Sequence, residues 1–328
     1  MDPRGASAQG QAGGGLDRTG HPPQSSAMSS PARGGEPLPP AAVGLMLLLC
    51  ASWGLNMVAV KIGNTGIPPV LQAGLRSLVG ALLLGAWCRW RGISLDGWRR
   101  DGTMPAGLLA GLLFGLEFVL IYVGLGFTSA SRAVVFVYGA PFFVALGVHW
   151  LLPDDRLTGG KALGLAIAFG GLALAFADGF ARPGNARMLL GDALCLLAGA
   201  FWGMTTVLVK VSSLRTARPE LVLQYQLAVS ALLLIPVAPW LDASLMLRPT
   251  PLVVAAFLYQ AVGVAFISYT AWFWLVSRHS ASRLAAFSFL SPLFGVLAGT
   301  VLLREPLGPL FLLAAGLVAV GIWQVNRP

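Results

Sequence analysis

Apolar residues fall in long blocks that begin near Ala41 and recur to the end of the chain. Each block is about 20 residues or longer, the length of a helix that crosses the hydrocarbon core of a membrane. Proline, glycine and charged residues between the blocks mark the ends of the helices. The pattern predicts an all-α integral membrane protein with ten spans, at residues 41–63, 68–89, 104–127, 130–152, 158–178, 189–211, 219–241, 251–276, 283–303 and 307–326.

Residues 1–40 differ from the rest, since they are rich in Gly, Pro, Ser, Ala and Gln and have almost no bulky apolar residue. Such a segment cannot bury enough apolar surface to offset its ordering entropy, and we predict a disordered tail. The tail also lacks the apolar stretch of a signal peptide. The remainder is predicted to form two units, residues 41–178 and 189–326.

Composition excludes a water-soluble enzyme. Hydrophobic residues make up 56% of the chain and charged residues 11%, against roughly a quarter charged in a typical soluble domain. The three cysteines, Cys50, Cys88 and Cys195, each lie in an apolar run, which matches neither a disulfide framework nor a metal site. Because Walker-type, HExxH and GxSxG motifs are also absent from the sequence, we expect no ATP hydrolysis, no cofactor, no metal and no enzymatic activity.

The formal charge of +9 does not indicate nucleic-acid binding, because the distribution of the basic residues follows the orientation of the protein in the membrane. Lys and Arg collect in cytoplasmic loops, and ten spans with a cytoplasmic N-terminus place fifteen of them inside and six outside. We therefore expect both termini to be cytoplasmic and the protein to lie in the inner or plasma membrane. Asp178 and Asp192 flank the loop between the halves, and we expect them to be solvated.

The second half of the chain repeats the first. ASWGLNMVAVK at residues 51–61 aligns with AFWGMTTVLVK at 200–210, an offset of 149, and SASR at 129–132 recurs at 280–283, an offset of 151. Two further matches share the offset of 151: Pro141 with Pro292, and LLPD at 151–154 with LLRE at 302–305. Because each repeat holds five spans, an odd number, the second copy enters the membrane from the opposite side.

Two inverted five-helix repeats are typical of secondary transporters, in which the substrate site lies near the bilayer midplane between the repeats. The organisation predicts alternating access. An inverted repeat with another role, a membrane-embedded enzyme or flippase acting on lipid-linked groups, stays open as the alternative. That alternative needs a cluster of reactive side chains at one interface, and none is visible in the sequence.

Several segments also resemble a known family: WGLNMVAVK, TSASRAVVFVYGAPFF, GDALCLLAGAFWGMTTVLVK, SASRLAAFSFLSPLFGVLAG, and the acidic turns LLPDDRL and LLREPL. They resemble the drug/metabolite transporter superfamily, specifically ten-helix transporters with two EamA domains, over about residues 41–326. The first acidic turn departs from the family pattern, with Asp154 and Asp155 where a single Glu is common. The resemblance implies transport, preferably export, of amino acids, small metabolites or drug-like compounds.

The expected partners are a small-molecule substrate and the lipid bilayer, with no nucleic acid. A proton gradient or the gradient of the substrate itself would drive transport, and a homodimer stays open. A pore is disfavoured because charged residues within the spans are sparse and unrepeated.

Arg76 and Glu117 lie in the middle of the second and third predicted spans. A charge at this depth costs about 2.5–3.5 kcal/mol on insertion scales, so each one needs a reason. Nearly equal depths on consecutive helices allow an ion pair. The pair is either a gate or proton-coupled switch, or a static pair that sets helix register. A switch is possible because a buried Glu with a competing partner can titrate near neutrality.

Two repeat-related pairs are candidate gates or hinges. Lys61 and Lys210 end the first and sixth spans, where lysine either reaches the headgroups or faces a central cavity and attracts an anion. Pro141 and Pro292 fall within the fourth and ninth spans, where each frees the carbonyl four residues earlier and kinks the helix. The paired kinks predict a hinge, a cavity wall or a packing feature.

The remaining substrate-cavity candidates are polar or aromatic. Trp53 and Trp202 are central in their spans, beside Gly54 and Gly203, where close helix packing is expected. Ser131 and Ser282 are predicted helix caps. The other candidates, of which fewer than half are expected to touch substrate, are Asn56, Gln72, Tyr122, Tyr138, Thr205, Gln224, Gln260 and Tyr269.

Overall fold

The computed structural model describes residues 38–96, 101–180, 185–304 and 309–327, and within them the ten predicted spans are confirmed as helices. Eight are long and apolar enough to cross a membrane, and α5 and α10 are shorter apolar helices. The helices are α1 Pro40–Gly63, α2 Pro69–Trp90, α3 Met104–Leu125, α4 Ala130–Leu151, α5 Gly159–Ala175, α6 Ala186–Val211, α7 Pro219–Leu241, α8 Pro251–Arg278, α9 Ala281–Leu303 and α10 Phe311–Asn326. Residues 1–37 of the predicted tail and Glu305 of the second acidic turn lie outside the described residues.

Helix starts follow ordinary capping chemistry. Proline occupies the first turn of α1, α2, α3, α7 and α8, where its missing N–H costs nothing. The caps of α4 and α9 are Ser129 and Ser280, whose hydroxyls accept from the N–H groups of Arg132 and Arg283. The prediction of Ser131 and Ser282 as caps was therefore wrong by two residues, because both lie inside the first helical turn.

Successive helices alternate between two faces of the bundle. The terminal face carries the start of α1 and the end of α10, and the opposite face carries the linker between α1 and α2. Repeat-related helices make repeat-related contacts: α1 packs on α9 as α6 packs on α4, while α2 packs on α7 and α5 on α10. This is the contact pattern of two inverted five-helix repeats.

Glycine beside each repeat-related tryptophan allows these close crossings. A Cβ at Gly54 would lie 2.6 Å from the amide nitrogen of Gly295 on α9, and a Cβ at Gly203 would lie 2.7 Å from Phe143 Cβ on α4. Backbones that approach this closely require a small residue. The close packing predicted around Trp53 and Trp202 is confirmed.

The helices α4 and α9 are both interrupted one turn before the middle proline. In α4 the break falls at Tyr138 and Gly139, ahead of Pro141, and in α9 it falls at Ser288 and Phe289, ahead of Pro292. The predicted kinks are present in both repeats because proline removes a ladder hydrogen bond in each.

Each backbone carbonyl group at the kinks is either hydrogen-bonded or covered by a neighbouring helix. Ser288 O accepts from the N–H of Ser291 at 2.9 Å, a tighter i to i+3 bond, so the expectation of a freed carbonyl there was wrong. Val137 O lies against Gly199 of α6, where a Cβ would be 2.5 Å away. Covering by a neighbouring helix is how a non-helical carbonyl is tolerated at membrane depth.

An unpredicted irregularity lies in α8, where Tyr259–Ser268 form a π-helix of 10 residues. Long π segments are rare and occur frequently at functional sites. The segment contacts α1 and α2, and Tyr259 donates its hydroxyl to the backbone carbonyl of Ser52 at 2.9 Å. It has no counterpart in α3, its partner in the first repeat, which is a regular helix.

Candidate functional site

Arg76 and Glu117 lie at similar depth between α2 and α3. Arg76 follows the start of α2 by seven residues, and Glu117 precedes the end of α3 by eight, which places them roughly 10 and 12 Å from the opposite face. Their side chains are buried, with 4% and 7% of the residue surface exposed. The sequence-based expectation that both lie deep in the bundle agrees with this placement.

The two side chains do not form the ion pair that their depth allowed. Within the described ranges the ion pairs are Arg132–Asp192 and Lys161–Asp155, and Nε and Nη2 of Arg76 and Oε2 of Glu117 have no hydrogen-bond partner. The guanidinium carbon of Arg76 lies 4.5 Å from the ring centroid of Phe118, a cation–π contact that holds it in place.

Aromatic rings from both repeats lie near this pair, since Phe118 at the Arg76 guanidinium packs edge-on against Phe114 at 5.2 Å. Trp53 packs edge-on against Trp272 at 5.6 Å and donates its indole N–H to Ser268 Oγ at 2.9 Å. Phe114 packs against Tyr269 at 6.0 Å. We call the following residues of α1, α2, α3, α4, α6 and α8 the central cluster: Trp53, Arg76, Phe114, Glu117, Phe118, Tyr138, Trp202, Tyr269 and Trp272.

Tyr138, which lies in the break of α4, belongs to the same cluster. Its ring lies 5.4 Å from that of Trp202 on α6, edge to face, and its hydroxyl interacts electrostatically with Tyr269 and Glu117. Asn56 lies one turn from Trp53 on α1, half-buried, with an unpartnered Oδ1. The structure therefore brings together six of the predicted cavity residues, Trp53, Arg76, Glu117, Tyr138, Trp202 and Tyr269, with Asn56 beside them.

Other predicted cavity residues hold helices together. Gln72 Nε2 donates to Gln260 Oε1 at 3.3 Å and to Asn64 Oδ1 at 3.2 Å, and Gln260 Nε2 donates to the carbonyl of Ala59 at 3.2 Å. These bonds join α1, α2 and α8 near the opposite face. Thr205 donates its hydroxyl to the carbonyl of its own helix, at Phe201.

Tyr122 and Gln224 lie at the edge of the cluster. Tyr122 packs with Phe118, Val70 and Leu71 where α2 meets α3, and the charge of Arg76 reaches its hydroxyl. Gln224 on α7 is half-buried, with its Oε1 unpartnered.

The two lysines lie apart from the central cluster. Lys61 is exposed in the last turn of α1, at the opposite face. Lys210 ends α6 at the terminal face, where its Nζ donates to the carbonyl of His279 at 2.7 Å. Each places a cation in the last turn of a helix, which the helix dipole favours.

A network that the sequence did not reveal closes the terminal face. Asp155, in the turn after α4, is 5% exposed and accepts from Lys161 Nζ at 2.8 Å. It also accepts from the hydroxyls of Ser280 and Ser282, at 2.8 and 2.6 Å, and from the N–H of Ser282. One carboxylate of the first repeat therefore binds the N-terminus of α9 in the second repeat.

The chemistry of Asp155 keeps this network charged. Burial acts to raise the pKa of its carboxyl, but the hydrogen bonds from Lys161 and Ser282 outweigh burial and hold the pKa below the usual 3.8. The anion also lies at the positive end of α9. Of the acidic pair in LLPDD, Asp154 is exposed and Asp155 makes the contact.

A second network lies toward the opposite face and joins α4 to α6. Asp192 accepts from Thr128 Oγ1 at 2.6 Å and from Arg132 Nε at 3.1 Å, and Arg132 Nη2 completes the ion pair. The Arg132 guanidinium lies 4.4 Å from the Phe180 ring centroid. The prediction of a solvated Asp192 was wrong, since the residue is 4% exposed and paired with an arginine that sequence reasoning counted as a loop charge.

The two copies of SASR have different surroundings. In the second repeat, Ala281–Phe287 is buried throughout and packs against α1, α4 and α10. In the first repeat, Ser129 and Ala130 are exposed and Ser131 is half-buried. The segment after SASR is therefore buried at the terminal face, and the start of the related segment at the opposite face is more exposed.

Metal chemistry has no evident place in the described part of the chain, where no three His, Cys, Asp or Glu side chains lie together as ligands. The cysteines Cys50, Cys88 and Cys195 are buried and unpaired with one another.

Comparison with known proteins identifies the family. The model of the EamA-like transporter family matches residues 40–177 and 189–327. The uncharacterized transporter YvbV of Bacillus subtilis is 30% identical over 284 residues, which cover 86% of this chain and 90% of that protein. A probable amino-acid metabolite efflux pump of Escherichia coli is 26% identical, with coverage of 85% and 92%.

A solved structure shares the fold. A crystal structure at 18% sequence identity superposes with a TM-score of 0.75 and covers 87% of this chain and 98% of its own. These relatives are transporters and not enzymes. With the family model matching both halves, this chain belongs to the EamA-like transporter family, whose members are multi-pass membrane transporters.

Proposed function

We propose that the protein is a secondary-active transporter that exports small metabolites by alternating access between its two inverted repeats. It lies in the cell membrane with the terminal face cytoplasmic, as the excess of Lys and Arg on that side indicates. The central cluster is the proposed substrate site, since it lies within the bundle and takes residues from both repeats. The driving force is a proton gradient or the gradient of the substrate.

The observation that carries the proposal is the unequal environment of two repeat-related segments. Ala281–Phe287 is buried at the terminal face and bound through Ser280 and Ser282 to Asp155, while Ser129 and Ala130 are exposed at the opposite face. In an inverted repeat, exchange of the two environments opens one face as it closes the other. The asymmetry supports a conformation open away from the cytoplasm.

The substrate class draws support from the relatives. Proteins of Escherichia coli and Salmonella typhimurium that are each 26% identical to this chain carry the name probable amino-acid metabolite efflux pump. The aromatic and charged residues of the central cluster suit a small amphipathic solute of this kind. We therefore propose amino acids and their derivatives as the leading cargo.

Flux measurements in proteoliposomes test the proposal. Vesicles with the purified protein are loaded with a panel of amino acids, amines, organic acids and drug-like compounds, with and without an imposed pH gradient. We expect saturable efflux of at least one compound, absent from protein-free vesicles. Failure of every compound to move, together with turnover of a lipid-linked substrate, would overturn the proposal in favour of a membrane enzyme or flippase.

A further inference from the structure

A cavity lies at the terminal face, where helices of the second repeat end and begin. It holds about 280 Å³ of empty space, part of which is open to solvent. Its walls are the last turn of α6, the linker from α6 to α7, the first turn of α7 and the last turns of α8. The cavity shares no residue with the central cluster, and the proposed transport cycle gives it no role.

Two cations line this cavity, Lys210 at the end of α6 and Arg215 in the linker. Lys210 donates to the carbonyl of His279, which occupies one N–H of its ammonium group and leaves the others for a further acceptor. Arg215 is exposed. Two more exposed arginines, Arg218 and Arg278, lie at the adjoining ends of the linker and of α8.

The protein supplies no carboxylate to these four cations. The ion pairs among the described residues are those of Asp192 and Asp155 with other bases. Glu220, in the first turn of α7, pairs with none of the four. Cations gathered around a cavity without an acid favour an anionic ligand, since like charges repel one another until a counterion binds.

The rest of the cavity wall is mainly apolar. Leu214, Val222, Phe273 and Val276 contribute to it and are themselves buried. A free inorganic anion gains nothing from such a wall, whereas the glycerol and first methylene groups of a lipid lose apolar surface to it. The combination of cations and apolar wall therefore favours an amphipathic anion.

The outer side of α8 shows that this region lies at headgroup depth. Trp274 is 42% exposed, and the guanidinium carbon of Arg278 lies 4.3 Å from its ring centroid. An exposed tryptophan with a basic residue at a helix end is typical of the membrane–water interface. A lipid headgroup is therefore within reach of the cavity.

We propose that this cavity binds the phosphate of an anionic phospholipid. Lys210 and Arg215 bind the phosphate oxygens, and the apolar wall receives the glycerol and the start of an acyl chain. The fork of N–H groups on a guanidinium matches phosphate geometry, and an ammonium group binds phosphate as a point charge. Basic pockets between membrane helices on the cytoplasmic side are suited to lipid headgroups, and the proposed orientation places the cavity on that side. The bound lipid joins the ends of α6, α7 and α8.

Native mass spectrometry of the purified full chain in detergent tests the site. The affinity for phosphatidylglycerol is compared with that for phosphatidylcholine of the same acyl chains, whose choline cancels the phosphate charge. We expect one site at which phosphatidylglycerol binds about 10- to 30-fold more tightly, and which inorganic phosphate at the same concentration does not occupy. Equal affinity of the two lipids overturns the proposal. Displacement of the lipid by inorganic phosphate at equal concentration assigns the cavity to a soluble anion and also overturns it.

Variants place the site. Lys210→Gln and Arg215→Gln should each weaken phosphatidylglycerol binding about 5-fold, and together about 30-fold, with phosphatidylcholine little changed. The matched control is Arg156→Gln, an exposed arginine in the turn after α4 that does not line the cavity. An equal loss in the control, or no loss in Arg215→Gln, would show general attraction to the surface and overturn the site.

Folding and transport are read separately. Thermal unfolding without added lipid shows whether each variant is folded; if Lys210→Gln is not, the exposed Arg215 decides alone. The lipid site does not rest on the proposed cargo or driving force. Flux in proteoliposomes without a preference for phosphatidylglycerol rejects the lipid site and keeps the transporter, whereas specific lipid binding without flux of any compound keeps the site and rejects the proposed function.

Discussion

Replacement of Asp155 by Asn should open the terminal face. The substitution keeps the shape of the side chain but removes the charge that Lys161, Ser280 and Ser282 bind. Lys161 is only 8% exposed and would be left as a buried cation without its carboxylate. Removing one partner of a buried ion pair costs about 3–5 kcal/mol. We take about 3 kcal/mol, since the Asn carbonyl still accepts one hydrogen bond.

This energy falls on the state in which α9 is bound to the turn after α4, because the network joins the two repeats there. A loss of about 3 kcal/mol multiplies the population of the locally open state by about 150. Hydrogen–deuterium exchange of the protein in nanodiscs, read by mass spectrometry, measures that population in Ala281–Phe287. We expect the amides of this segment to exchange about 100-fold faster in Asp155→Asn, while the interior of α2 keeps its protection.

Asp154→Asn is the matched control, since Asp154 is the neighbouring acid and is exposed. It should leave exchange in Ala281–Phe287 unchanged. The reasoning is refuted if the Asp155 variant exchanges at the unmodified rate, or if the Asp154 variant accelerates exchange equally. Faster exchange spread over all ten helices would indicate general destabilisation and also contradict a local gate.

Two further predictions concern pH and packing. Because the folded pKa of Asp155 lies below 3.8, its stabilisation is complete above the ordinary pKa and is lost only as pH falls through the lowered value. The ratio of exchange in this segment between Asp155→Asn and the unmodified protein should therefore be constant between about pH 5 and about pH 8, and a change of that ratio within this range would contradict the assignment. Gly203→Ala places a Cβ 2.7 Å from Phe143 Cβ and 3.0 Å from the carbonyl of Ala140, and should destabilise the protein by about 1–3 kcal/mol. Gly170→Ala, at a position with open space, should be neutral or slightly stabilising in the same detergent unfolding assay, and equal effects would argue against close α4–α6 packing.

Much of the fold could be predicted because it depends on local and periodic properties. The length of the spans and the excess of basic residues on one side follow from the properties of the membrane. Proline at helix starts follows from the geometry of the local backbone. None of these features requires a tertiary contact. Repeat matching also revealed the paired kinks at Pro141 and Pro292 and the close packing at Gly54 and Gly203. These features could be recognised because each occurs at corresponding positions of both repeats.

The candidate site was only partly predictable. Arg76 and Glu117 stood out as charges at membrane depth, but sequence depth could not show that the guanidinium lies over Phe118 and leaves Glu117 unpaired. The networks of Asp155 and Asp192 were missed. In the sequence each residue is an ordinary charge near a helix end, and only the fold shows the distant residues that bind and bury it. The repeated SASR motif was the one signal in the sequence that marked both networks.

The sequence alone determined that the protein lies in a membrane, that it has ten helices and that its two repeats are inverted. The length of the hydrophobic segments and the odd number of spans in each repeat leave little choice. Only the tertiary structure decided which charges are paired and which of the two repeated segments is buried. Two identical segments, SASR at 129–132 and at 280–283, have different environments, since burial depends on neighbours more than 100 residues away along the chain, as in the bond between Ser280 and Asp155.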